Sequence, residues 1–146
     1  LLIRAADKDK YHSLEDLDKA GLKIAHNMGG LNERFAKVRF KNATPTGYAS
    51  NELAFADLID GKADAQVADS TSAVYLAAKD PRVVVMNLQN VFDPVYVAIL
   101  VRREDQTLLN YINIWLDQIE MEGTLAKIRS KWLPGYPSAG WPGEPR

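Results

Sequence analysis

The sequence predicts an α/β fold: an open, mostly parallel sheet with helices on both faces. Short apolar runs alternate with amphipathic stretches of about ten residues, the pattern of strands joined by right-handed crossovers. Punctuation falls between them, with Gly21, Gly61 and Pro81 each placed where a helix must stop. Most informative is the segment from Asn51 to Asp69, which reads as helix, glycine stop, short buried strand and terminal aspartate. In an open α/β sheet, ligands bind beyond the carboxyl ends of the strands, so Asp69 is placed to meet one.

Taken in order, Leu1 to Ala6 is expected as a strand. Ser13 with Asp16 three residues on is a capping-box variant, opening a helix that ends near Gly21. Leu22 to Ala25 is a short strand, followed by the turn Asn27-Met28-Gly29-Gly30 and a helix from Leu31 to about Val38. Glu33 suits the first turn of that helix, where the dipole favours negative charge. A weak strand follows around Ala43 to Gly47. Ser50 caps a helix over Asn51 to Asp60, and Asp64 to Ala68 is the next strand. Asp69 opens a helix over Ser70 to Lys79, and Arg82 to Met86 resumes as strand.

After Asp93-Pro94 the pattern changes. Val95 to Arg102 is expected as a long strand, and Asp105 caps a helix reaching Met121. Leu108, Leu109, Ile112, Trp115, Leu116 and Ile119 recur at helical spacing, and Leu125, Ile128 and Trp132 form a second stripe. Trp115 and Trp132 are expected in the core. From Pro134 on, proline, glycine and serine dominate, the composition of a loosely ordered tail.

The 146 residues carry 18 basic and 19 acidic side chains, a net charge of -1, so no basic stripe points to nucleic acid. The apolar run Val95 to Val101 is too short to span a bilayer. There is no cysteine, which excludes disulfides and thiolate chemistry. His12 and His26 are not spaced as a metal pair, and no cofactor is expected. The opening Leu1-Leu-Ile-Arg has neither a starting Met nor a signal peptide, which reads as the middle of a larger protein.

Two candidate sites emerge from local pattern. The turn Asn27 to Asn32 precedes a helix, where unpaired backbone N–H groups and the dipole suit a carboxylate. The same turn also reads as a plain strand-to-helix connection. Asp69 reads both as a helix N-cap and as a partner for a ligand ammonium, and one carboxylate has lone pairs enough for both. Ser70, Thr71 and Ser72 lie beside it with no histidine placed by sequence to activate them. Tyr48 and Phe92 stand near expected strand ends and could line a pocket or pack in the core.

Leu53-Ala-Phe-Ala-Asp-Leu-Ile-Asp-Gly-Lys-Ala-Asp-Ala with Asp69, Tyr96-Val-Ala-Ile-Leu-Val-Arg-Arg103, and Gly123-Thr-Leu-Ala-Lys-Ile-Arg-Ser-Lys-Trp132 share one resemblance. With Ser13-Leu-Glu-Asp-Leu17 and the Gly29-Gly30 turn, they resemble bacterial extracellular solute-binding proteins of family 3, the amino-acid receptors of ABC importers. The resemblance covers residues 1 to about 133. It implies the periplasmic binding protein type II fold, in which two lobes joined by a hinge close on a ligand. Residues 1–97 then correspond to lobe 2, residues 98–133 to the hinge-return strand and C-terminal helices of lobe 1, and residues 134–146 to a Pro/Gly-rich tail. The family's opening segment, most of lobe 1, is not among these residues, so it is expected from the same protein or another chain.

By the same resemblance Asp69 matches the aspartate that holds an amino acid's α-ammonium, while Gly30 and Leu31 stand where hydroxyl residues are usual. The implied ligand-binding set is Gly29, Gly30, Leu31, Asn32 and Asp69, with Asn27, Tyr48 and Ser72 beside it, and no catalytic residue. The implied ligand is a small amino acid or related carboxylate. An ABC permease is the implied partner, and a periplasmic or extracellular location is expected after removal of a precursor's signal peptide. Gly29-Gly-Leu-Asn-Glu-Arg-Phe-Ala36 is also similar to cyclohexadienyl dehydratases, enzymes of the same fold. Their general-acid glutamate falls at Ser72, whose hydroxyl cannot do comparable work near neutral pH. The extracellular domain of a receptor kinase is a further alternative on this fold.

Overall fold

A computed structural model describes residues 1–86 and 98–132. The chain divides into two compact units, Leu1–Val91 and Phe92–Arg146.

In the first unit the strands are β1 (Leu2–Arg4), β2 (Lys23–Asn27), β3 (Thr44–Tyr48), β4 (Ala65–Val67) and β5 (Val83–Val85). They form one sheet in the order β3-β2-β4-β1-β5. β2 pairs parallel with both β3 and β4, as the alternation predicts. β1 runs antiparallel between β4 and β5, so the sheet is mixed. Leu1, Leu2 and Ile3 are all buried, so the segment sits inside the sheet, covered on both faces.

Strand alternation sends side chains to two opposite cores. On one face Ile3, Ile24, Ala65 and Val67 pack with Leu17 of helix α1 (Leu14–Leu17) and with Phe35 and Ala36 of α2 (Leu31–Arg39). On the other, Leu2 and Val83 pack with Leu58 of α3 (Asn51–Ile59) and Ala73 of α4 (Ser70–Lys79). Leu58 is fully buried there, and its burial is worth about 1.5–3 kcal/mol. The Arg4 guanidinium ties the α3–β4 turn to β1, donating to the carbonyls of Leu58 and Ala63 and pairing with Asp7 and Asp64.

The helix starts follow their caps. Ser13 and Asp16 form the reciprocal capping box, and Ser50 accepts the Leu53 N–H. Helix α1 is shorter than the stretch to Gly21 that the sequence predicts, ending at Leu17. Asp18 is the reason: its carboxylate accepts the backbone N–H groups of Lys41, Asn42 and Ala43, pinning the α2–β3 loop instead of continuing the helix. Gly61, at φ 73°, supplies the left-handed stop after α3.

In the second unit Asp105 caps α5 (Gln106–Met121), which packs with α6 (Thr124–Trp132). Residues 98–102 are not a strand, contrary to the sequence expectation; no strand among the described residues pairs with them, and Leu100 is 94% exposed. The core assignment of two tryptophans is also corrected. Trp115 is 46% and Trp132 63% exposed, because within the described part of this unit α5 buries only Ile119 and α6 buries nothing. Residues 95–97, Phe92 and the tail from Pro134 lie outside the described residues.

Candidate ligand-binding site

Three adjacent parallel strands bring the candidate residues to one edge of the sheet. Across β2 and β3, Asn27 is the register partner of Tyr48; across β2 and β4, His26 is the partner of Val67. The strands run in one direction, so the turn after Asn27, the end of β3 and Asp69 after β4 all leave the sheet at its carboxyl edge.

The glycine turn is held from several sides. The Met28 N–H donates to the Tyr48 carbonyl at 2.9 Å, and Asn32 Nδ2 donates to Asn27 Oδ1 at 2.7 Å. Gly29 takes φ 83°, a left-handed conformation that side chains resist. Its N–H is taken by Glu33 Oε2 at 2.7 Å. Gly30 is the N-cap of α2 and offers no side-chain cap, so the start of the helix keeps backbone donors for another acceptor. Lys37 above all, then the Gly29 N–H, hold the Glu33 carboxyl below its usual pKa. An open depression of about 500 Å³ lies here, lined by Gly29, Gly30, Leu31, Glu33, Arg34 and Lys37.

Asp69 is exposed and caps α4: its Oδ1 accepts the Ser72 N–H at 2.8 Å and the Thr71 hydroxyl at 2.6 Å. Partial burial pushes its pKa up, but these hydrogen bonds outweigh it and hold the carboxyl below its ordinary value. Asp69 is therefore ionised near neutral pH. Both bonds fall on Oδ1, the Ser72 side chain adds to them, and a carboxylate has lone pairs for a further donor.

The remaining candidates are engaged within the fold. Tyr48 packs on Ala25, Ala54 and Ala63, and its hydroxyl donates to Asp57 Oδ2 of α3 at 2.8 Å. Burial first, and Asp57 second, raise its pKa. Ser72 lies in the first turn of α4, giving its N–H to Asp69. Asn27, Tyr48, Asp69 and Ser72 do not line the depression at the turn. His26 is buried on β2, while His12 is exposed in the loop before α1. Among the described residues no group of three or more His, Asp or Glu could hold a metal, and no helix is long and apolar enough to cross a membrane.

Sequence reasoning missed Glu33 as the acceptor for Gly29, although its position three residues after the N-cap Gly30 is the capping-box spacing. It also missed Arg34 and Lys37, which line the depression, Lys37 paired there with Glu33.

No family model matches the chain. Cyclohexadienyl dehydratase of Pseudomonas aeruginosa is 30% identical over 128 residues, which cover 88% of this chain and 47% of that protein. ABC transporter arginine-binding protein 1 of Escherichia coli K12 is 29% identical over 133 residues, covering 88% of this chain and 54% of that protein. A solved structure of an ancestral cationic amino acid solute-binding protein is 35% identical, with a TM-score of 0.78 over 90% of this chain and 56% of that one. The chain thus spans about half the length of the curated relatives it matches. Its homologues are a dehydratase and an amino-acid-binding protein, as the motifs of family 3 solute-binding proteins imply, and its mixed sheet with flanking helices is part of a periplasmic binding protein type II fold.

Proposed function

We propose that this chain supplies half of a binding cleft for a small amino acid, in the substrate-binding component of an ABC importer. The observation that carries the reading is the shared carboxyl edge of β2 and β4, with the α2 N-terminus at one strand end and ionised Asp69 at its neighbour. Backbone donors at Gly30, Leu31 and Asn32 take the ligand carboxylate, with Arg34 adding positive potential while Lys37 is paired with Glu33. Asp69 takes the ammonium in a charge-assisted bond stronger than a neutral one. Gly29 gives its N–H to Glu33 and contributes room for approach rather than a donor.

Residues 1–97 act as lobe 2, residues 98–133 return to lobe 1, and the rest of lobe 1 comes from the same protein or another chain. Closure of the lobes is a population shift set by contacts made only when closed. The location is periplasmic or extracellular and the partner is the importer's permease. The arginine-binding relative supports an amino-acid ligand and L-arginine as the first to try.

Calorimetry on the full protein with amino acids, and with carboxylates lacking an ammonium, tests this. Micromolar or tighter binding of an amino acid is expected, together with loss of affinity in Asp69→Asn. Equal affinity for ligands with and without an ammonium would remove Asp69 from its role.

The second reading is dehydration of prephenate or arogenate, favoured by the dehydratase relative. It lacks an acid at Ser72, and turnover of prephenate to phenylpyruvate by the full protein would establish it over the first.

A further inference from the structure

We infer that Gly47 is a positioning residue for the glycine turn, acting through the side chain of Met28; the inference rests on the binding role proposed for that turn. Gly47 stands opposite buried His26 in the register of β3 with β2. Met28 lies two residues after His26, so its side chain leaves on the same face of the sheet. There it folds across β3 into the space that Gly47 leaves. A Cβ at Gly47 would lie 2.7 Å from Met28 Cγ, 3.2 Å from Met28 Sδ and 3.3 Å from His26 Cε1. Gly29 and Gly30, by contrast, meet nothing within 4 Å at the same test.

Gly47 has no left-handed backbone to explain it, since the positive-φ glycines are Gly21, Gly29, Gly61 and Gly123. Its requirement is space. The first contact is Met28 Cγ, in the middle of the side chain rather than at its free end, so relief requires a change at χ1 or a shift of the turn backbone. The backbone of Met28 is itself fixed to β3 through the Tyr48 carbonyl. A Cβ at residue 47 therefore either turns the half-exposed Met28 side chain outward or shifts the connection that leads into the α2 N-terminus, and the second is the one proposed. Preorganised donors bind more tightly than donors that must be ordered on binding.

The experiment compares wild type, Gly47→Ala, Met28→Ala and the double variant Gly47→Ala/Met28→Ala in the full protein. Two readouts are taken: the 15N–1H resonances of Gly29 and Gly30 without ligand, and L-arginine affinity by calorimetry. In Gly47→Ala both glycine resonances shift and affinity falls roughly three- to tenfold, the size of an off-rotamer strain. In the double variant the clash partner is gone, so most of the affinity returns and the two resonances match those of Met28→Ala alone, which is the reference because residue 28 precedes Gly29. Unchanged Gly29 and Gly30 resonances in Gly47→Ala overturn the inference, as does a double variant no better than the single one. If wild type binds no L-arginine, the amide resonances still decide the role of Gly47, while the ligand reading is tested separately by the amino-acid panel. If Gly47→Ala does not fold, rescue of folding by Met28→Ala supports the clash, and failure of rescue overturns it.

Discussion

His26 on β2 and Val67 on β4 are register partners in a parallel pair, so the two strands end level with one another. One residue past His26 the chain enters the glycine turn, and two residues past Val67 it reaches Asp69. The helix-start donors of α2 and the ionised carboxylate that caps α4 thus follow the ends of neighbouring strands. The proposed dipolar ligand would use both, whereas an anion or a cation alone would use only one.

The capping role of Asp69 and its proposed ligand role separate by substitution. Asp69→Ala removes the α4 cap and is expected to cost about 1 kcal/mol of stability. Asp69→Asn keeps a capping oxygen, so its stability should stay within about 0.5 kcal/mol of wild type while ammonium binding is lost. Chemical denaturation and calorimetry on both variants measure the two effects independently.

Asp18 clamps the α2–β3 loop through three backbone N–H groups. The Ala43 N–H first, then those of Asn42 and Lys41, outweigh desolvation and hold its pKa below 3.8. The folded state thus binds the Asp18 proton less readily than the unfolded chain. This stabilisation is present above the unfolded value and is lost as pH falls through the lowered folded one. Asp18→Ala is expected to destabilise by about 1–2 kcal/mol at pH 7, with the difference shrinking below about pH 4. Denaturation curves of both proteins across that range check it.

Glu33 is expected to hold the turn at Gly29. In Glu33→Ala the Gly29 amide should exchange with solvent faster, by about tenfold or less, because one charge-assisted hydrogen bond is lost in an exposed site. Glu33→Gln retains an acceptor and should fall between the two. Equal exchange in all three proteins would mean that the backbone alone orders the turn.

The local signals were well read from sequence. Ser13 with Asp16, Ser50, Asp69 and Asp105 all cap the helices expected of them, since a cap is settled by neighbours within one turn. The direction of β1 was not legible, because nothing in Leu1 to Arg4 encodes which strands flank it. The same limit applies to residues 98–102, whose strand pattern has no pairing partner among the described residues. Trp115 and Trp132 sit on a helical stripe that predicts burial, yet a stripe says only which face is apolar and not what covers it. The bond from Gly29 to Glu33 had a local spacing signal, whereas the fit of Met28 against Gly47 depends on packing that only coordinates display.

The exposed face of α5 and α6 gives a further expectation. Tyr111, Ile114, Trp115, Met121 and Trp132 are each more than two-fifths exposed. An apolar surface of that kind favours association. The 146-residue chain produced by itself should bind a hydrophobic dye and self-associate with concentration. Light scattering that returns a sharp 16.3 kDa species at all concentrations would contradict this.

The central claim, one half-site shared by the glycine turn and Asp69, is tested most directly by titrating the 15N-labelled full protein with the amino acid that calorimetry selects. The amides of Gly30, Leu31 and Asn32 and those of Ser70, Thr71 and Ser72 are expected to shift together along a single binding curve. Shifts confined to one group, or two curves with different midpoints, would contradict it.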